Sequence, residues 1–261
     1  MTTATQDQLM MAAALLERTR VGIAFTGAGI SVESGIPHFR GEGGLWTKFD
    51  PYKVAHIDTF RKNPAEYWTY SLNHRRTDAE PNPAHRALAE LEGRGHLRAV
   101  VTQNTDGLHQ KAGSGRVIEL HGSSQAVICL DCRARFPRAD IDALNRERCP
   151  PNCPACAGRF LKPTVVLFGE ALPEAELRSA QFLAMAADVV LVVGSSLQVY
   201  PAAGIPRLAR AHGADLIIVN AEPTPFDEVA AVVIHGKAGE VLPEIVSRID
   251  ADYGTSATGN V

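Results

Sequence analysis

Short apolar runs rich in β-branched residues recur along the chain, separated by longer stretches in which apolar positions return every three or four residues. The runs occupy 21–26, 97–102, 117–120, 188–193, 216–220 and 229–234. Their length and composition predict strands, and the almost unbroken apolar character of 189–193 (VVLVV) and 216–219 (LIIV) suits strands covered on both faces. The helical period covers 8–18, 64–76, 83–92, 174–186, 202–212 and 239–249. Asn82 followed by Pro83 forms a start signal for the third of these, and Gly93 a stop signal. Alternation of strand and helix predicts an α/β fold built on a doubly wound, mostly parallel sheet. No internal repeat or low-complexity run interrupts it.

Two stretches break the alternation. Residues 37–60 combine Gly, Pro and aromatics without a clear period, where a Rossmann-like unit places its first helix and second strand. Residues 129–156 hold all five cysteines. Both read as insertions on the sheet, where loops carry function. The predicted division is a discontinuous Rossmann-like nucleotide-binding domain over 7–36, 77–128 and 157–250, a loop and helical insertion at 37–76, a cysteine subdomain at 129–156, and flexible termini at 1–6 and 251–261.

With 261 residues, 45% of them apolar, the chain can bury one large core, or a core and a small satellite. Twenty-six basic residues against 29 acidic ones leave a net charge of −3. No whole-surface field draws in nucleic acid or anionic lipid. The apolar run at 9–16 is closed by Glu17 and Arg18, far short of the roughly 20 residues that span a bilayer. No basic residue precedes it, as a secretory leader requires. These features predict a soluble, cytoplasmic protein that needs no membrane.

Cys129-x2-Cys132, twenty intervening residues and Cys153-x2-Cys156 have the spacing of a structural zinc site. Four thiolates close a tetrahedron and leave no position open for catalysis. An odd cysteine count confined to one segment fits a metal site in a reducing compartment, not a disulfide scaffold. Cys149 is spare and competes with Cys153 as ligand; two-residue spacing favours Cys153. A ribbon this small cannot build its own core, so the metal should fold it. Five basic and four acidic residues give this segment little of the charge a nucleic-acid-binding ribbon needs.

The first strand runs into Gly27-Ala28-Gly29. Glycines let the backbone approach a pyrophosphate, but Val32 occupies the third glycine position of the dehydrogenase fingerprint, which disfavours a hydride-transfer enzyme. After the strand at 97–102 comes Gln103-Asn104-Thr105-Asp106, and after that at 117–120 comes His121-Gly122. Carboxyl ends of parallel strands line the ligand crevice of open α/β sheets. The amides there suit carboxamide or ribose recognition, and His121 suits a general base. His85 and His109 read as structural.

GAGISVESGIPHFR (27–40), QNTDGLH (103–109), the His-Gly pair (121–122), the cysteine quartet, VVLFGE (165–170), GSSLQVYP (194–201) and IVNAE (218–222) occur in this order. Together they resemble the sirtuin family of NAD-dependent protein deacylases, with coverage from about residue 9 to 250. The resemblance implies NAD as co-substrate and one structural Zn2+. It places Gly27, Ala28, Gly29, Val32, Gly194, Ser195, Ser196, Asn220, Ala221, Lys237 and Ala238 along the dinucleotide, and Phe39 and Arg40 on a flexible cofactor loop. Gln103, Asn104, Thr105 and Asp106 fall around the nicotinamide and its ribose, with His121 as base and Asn104 also catalytic. Val166, Phe168, Gly169, Glu170 and Val199 would grip an acetyl-lysine protein as an extended strand. No oligomer is required.

Two departures from the family pattern matter. Thr105 stands where the family usually has isoleucine against the nicotinamide, which bears on nicotinamide inhibition. The branch that removes acidic acyl groups carries Tyr-x-x-Arg on the helix at 64–76, whereas here Tyr67 is followed at +3 by Tyr70, and Tyr70 by Asn73. With no arginine to pair a succinyl carboxylate, deacetylation is expected over desuccinylation. The rival readings are a mono-ADP-ribosyltransferase using the same NAD site and a non-catalytic NAD sensor; the latter has no need of His121.

Overall fold

The computed structural model describes residues 4–38, 44, 47, 50–144 and 149–251. Six strands, β1 (Gly22–Thr26), β2 (Val100–Thr102), β3 (Val117–Glu119), β7 (Val189–Val193), β8 (Asp215–Val219) and β9 (Val232–Ile234), form a sheet of order β3-β2-β1-β7-β8-β9. Every pairing in it is parallel. Ala24 lies opposite both Val100 and Leu191, and Val193 opposite Val219. The predicted doubly wound sheet is therefore present.

The unbroken apolar runs resolve into two faces because side chains alternate along a strand. Ala24, Leu191, Val193, Ile217 and Val219 pack with α1 (Gln6–Glu17), α5 (Pro83–Gly93) and α10 (Ala238–Ala251). Ile23, Phe25, Val190, Val192, Leu216 and Ile218 pack with α8 (Glu174–Ala186) and α9 (Gly204–Ala211). Each large aliphatic side chain so buried contributes about 1.5–3 kcal/mol. Helix α1 begins inside the stretch read as a flexible terminus: Thr5 caps it, its hydroxyl accepting from Gln8 N–H while the Gln8 amide oxygen accepts from Thr5 N–H. Asn82 caps α5 as its start signal predicts, with His85 closing the box from the third helical position.

The two insertions contain more regular structure than their patterns suggest. Within the first lie α2 (Pro51–Val54), α3 (Ile57–Lys62) and α4 (Pro64–His74); the second is framed by β4 (Ala126–Cys129), β5 (Arg135–Pro137), α7 (Arg138–Leu144) and β6 (Leu161–Pro163). The three strands form an antiparallel sheet of order β5-β4-β6, so this small unit reaches beyond 129–156 on both sides. The insertions also share one core, in which Ile57, Phe60 and Trp68 meet Val127, Cys129, Ile141, Cys153 and Leu161. Arg138, 2% exposed, stacks 4.4 Å over the Trp68 ring and donates to Asp142 and Ser71. Arg75 also pairs with Asp142, at 2.8 Å. These bonds fasten α7 to α4. A four-residue helix, α6 (Leu108–Lys111), completes the elements between β2 and β3. Among the described residues no helix is long and apolar enough to cross a membrane.

Candidate active site

The chain leaves β1 for β2 and β3 on one side and later returns to β7 on the other. The gap between the carboxyl ends of β1 and β7 is thus the topological switch point, where open α/β sheets bind ligands. Here the two glycine turns lie backbone against backbone. Gly27 N–H donates to Val193 O at 3.1 Å, and Gly29 N–H to Gly194 O at 2.8 Å. A Cβ on Gly29 would come within 2.7 Å of Gly194 Cα, and Gly194 itself has φ +61°. Only glycine fits this contact. Residues Ala28–Ser34 then form a tight helical turn with Val32 exposed on it.

The polar residues after β2 converge on the same point. Asn104 is 8% exposed, and its amide donates to Gly27 O at 3.1 Å and to Ser31 Oγ at 3.2 Å. Ser31 in turn donates to Asp106 Oδ2 at 2.8 Å, and Asp106 Oδ1 accepts from Leu108 N–H. Gln103 donates to Ser195 Oγ at 2.8 Å, bridging the ends of β2 and β7. Thr105 is half-buried beside them. Ser31 has no signal of its own in the sequence beyond its place in the glycine-rich motif 27–40.

A second layer backs this cluster. His85 Nε2 lies 3.4 Å from Ser31 Oγ, and His109 Nε2 lies 2.9 Å from Thr26 Oγ1. Burial pushes the His85 pKa down to about 4, against the pull of Asp106, and that of His109 down to about 3. Both rings are neutral at physiological pH and fit the structural reading made of them.

His121 follows β3. Its Nδ1 lies 3.0 Å from the Gln103 carbonyl oxygen. A carbonyl only accepts, so Nδ1 carries the hydrogen and the neutral ring presents its lone pair at Nε2. Burial lowers the His121 pKa, and the bond to Gln103 partly opposes this. The ring is therefore unprotonated at neutral pH.

Segment 165–170 lies against His121: Val166 N–H donates to His121 O at 2.8 Å. Phe168 uses both of its backbone groups on the helical insertion, N–H to Ala55 O and C=O from Ile57 N–H. Gly169, exposed and at φ +83°, comes next. The Glu170 carboxylate is engaged within its own segment and with Lys162. Val199 is half-buried after the Gly194-Ser195-Ser196 turn. At the ends of β8 and β9, Asn220 donates to Glu222 O at 2.6 Å, with Ala221 exposed between them. Lys237 pairs with Glu240 at 2.9 Å, and Ala238 opens α10. Phe39 and Arg40 lie outside the described residues.

Cys129, Cys132, Cys153 and Cys156 place their sulfurs within 4.8 Å of one another. Cys129–Cys156 and Cys132–Cys153 are each separated by 3.7 Å. A tetrahedron with zinc–sulfur bonds of about 2.3 Å has sulfur–sulfur edges of about 3.8 Å, so the donor set fits Zn2+. Cys149 is exposed and stands outside this cluster, which contains Cys153.

A model of the Sir2 family matches residues 27–201. NAD-dependent protein deacylase 2 of Archaeoglobus fulgidus is 50% identical over 246 residues, 94% of this chain and 97% of that relative. A solved Sir2 enzyme superposes with a TM-score of 0.89 at 50% identity, over 94% of this chain and 98% of the other. Another solved Sir2 protein, with deacetylated p53 peptide and 3′-O-acetyl-ADP-ribose, superposes with a TM-score of 0.86 at 38% identity, over 90% of this chain and 96% of the other. Agreement over nearly the whole length, in sequence and in fold, makes the chain a member of the Sir2 family.

Proposed function

We propose that this chain is an NAD-dependent protein lysine deacetylase. Acetyl-lysine, NAD and water are converted to lysine, nicotinamide and O-acetyl-ADP-ribose. The carrying observation is the gathering of His121, Asn104, Asp106 and the paired glycine turns at the carboxyl ends of β1, β2, β3 and β7. The dinucleotide supplies a glycosidic bond with a good leaving group, which a weak nucleophile such as an amide oxygen needs.

The chain's own groups do the rest. Gly27, Ala28, Gly29, Gly194, Ser195 and Ser196 bring backbone close enough to bind a pyrophosphate, with Val32 beside them. Asn220, Ala221, Lys237 and Ala238 take the adenosine end. Both amide hydrogens of Asn104 are engaged, which leaves its carbonyl oxygen to accept from the nicotinamide carboxamide; Asp106 and Thr105 complete that pocket. Gln103 meets the ribose. His121 Nε2 removes a proton from a ribose hydroxyl, and its bond to Gln103 holds the ring in the reactive tautomer. Exclusion of water from the crevice protects the activated sugar. An acetyl-lysine protein adds as a strand between 166–170 and Val199. Four cysteines hold one structural zinc. The cytoplasm, where thiols stay reduced, is the matching compartment.

Incubation with NAD labelled in its adenosine half and an acetyl-lysine peptide tests this against the ADP-ribosyltransferase alternative. Label is expected on free O-acetyl-ADP-ribose; label retained on protein, with the peptide still acetylated, favours the alternative.

The acid limb of kcat/KM is expected below the ordinary histidine pKa of about 6.5, because burial favours the neutral base and protonation removes it. A pH–rate profile checks this, and a limb well above that value contradicts the assignment of His121. On matched peptides, acetyl-lysine is expected to turn over at least about tenfold faster than succinyl-lysine, since Tyr70 and Asn73 offer no guanidinium to a second carboxylate. The ratio of kcat/KM values measures it, and a ratio below one refutes it.

A further inference from the structure

Lys162 has no part in the chemistry just described, yet its ammonium is buried and fully coordinated. It lies on β6, opposite Ile128 and next to Leu161, which is paired with the zinc ligand Cys129. The residue is 4% exposed. Its Nζ lies 2.9 Å from Glu170 Oε2, and it donates to Val165 O at 2.6 Å and to Pro163 O at 3.0 Å. The same Glu170 oxygen accepts from Leu167 N–H at 2.8 Å. One cation therefore gathers the backbone of 163–167 and the carboxylate of 170.

Stability alone gives little reason for this arrangement. Burying an ammonium is costly, and an apolar side chain of similar volume often packs as well. What the ion pair supplies is a unique shape for a segment that, among the described residues, has no sheet partner along most of its length. That segment has Val166 bonded to the carbonyl of His121, Phe168 bonded to residues 55–57, and Gly169 exposed between Phe168 and the anchored Glu170.

We infer that Lys162 is a positioning residue for the acyl peptide: through Glu170 it fixes 163–170, including the turn that Glu170 N–H closes on Leu167 O at 3.0 Å, in the shape that presents exposed Gly169 to the incoming peptide, and it couples that wall to the cysteine-bearing sheet. This inference rests on the deacetylase reading, so the test must separate the two. Lys162→Met preserves volume and removes the charge. The KM for an acetyl-lysine peptide is expected to rise about tenfold or more, since small misplacements of a binding wall are costly, while NAD affinity stays within about twofold. Lys162→Gln, which keeps a hydrogen-bond donor and removes the charge, moves the peptide KM the same way by about threefold. It decides the matter if the methionine variant does not fold.

Unchanged peptide KM in the folded variants overturns the inference, as does an equal loss of NAD and peptide affinity, which a merely structural role would produce. A wild-type protein that binds NAD but frees no lysine sinks the functional reading, and this inference with it. Deacetylation by the wild type with an unmoved peptide KM in the variants sinks the inference alone.

Discussion

His121→Ala lowers kcat by a factor of about 10²–10⁴, the range in which a positioned general base acts, and leaves NAD affinity within a few-fold of wild type. The expected separation follows from geometry. The paired glycine turns bond to one another through Gly27, Gly29 and Gly194, and Asn104 reaches them through Gly27 and Ser31. Neither set uses the imidazole. The His121 ring is held by its bond to the Gln103 carbonyl, apart from both sets. Deleting the ring removes the proton acceptor and leaves the crevice standing. Product formation by mass spectrometry and NAD binding by calorimetry read the two halves separately. Turnover within tenfold of wild type removes His121 from the base role.

Loss of one thiol of the cysteine quartet has the second large effect. Cys129 is buried, pairs across the small sheet with Leu161, and belongs to the core shared by Trp68, Phe60, Ile141 and Cys153. Cys129→Ser replaces a soft thiolate with a poor zinc ligand at the centre of that core. Structural zinc contributes about 10–16 kcal/mol to the folding of small metal-dependent peptides; a fraction of that suffices to open this module. Zinc content is expected to fall well below one per chain, with a lower melting temperature and loss of deacetylation. The six-stranded sheet keeps its own two packed faces, so far-UV circular dichroism retains most of its intensity. Elemental analysis and thermal melts check this. A variant that keeps stoichiometric zinc and an unshifted melt shows that Cys129 is not a ligand.

Local pattern made much of this molecule readable. The runs VVLVV and LIIV identify β7 and β8 because strands covered on both faces have no polar alternation. The doubled two-residue cysteine spacing survives as a cluster because it is itself a local geometry. Polar residues after β2 and β3 announce the crevice by appearing where the apolar runs stop. Other features depend on partners far apart in sequence. The short helices α2 and α3 lack a period long enough to register, and α3 is fixed by packing Ile57 and Phe60 on a core contributed largely from residues 127–167. That core, and the stacking of Arg138 on Trp68, merge two insertions that look separate along the chain. Two site details also arise from the fold: the tautomer of His121, set by a carbonyl eighteen residues away, and the anchoring of Glu170 by Lys162. The glycines at 27, 29 and 194 show the difference. Their positions suggest a phosphate turn, but only the sheet order reveals that they touch each other at the switch point.

The central claim is that one crevice couples rupture of a glycosidic bond to removal of an acyl group. Parallel measurement of nicotinamide released and lysine freed, from one reaction containing NAD and an acetyl-lysine peptide, tests it most directly. The two should appear together in equal amounts, and neither should accumulate when NAD or the acetyl group is withheld. Nicotinamide accumulating while the peptide stays acetylated would contradict the account.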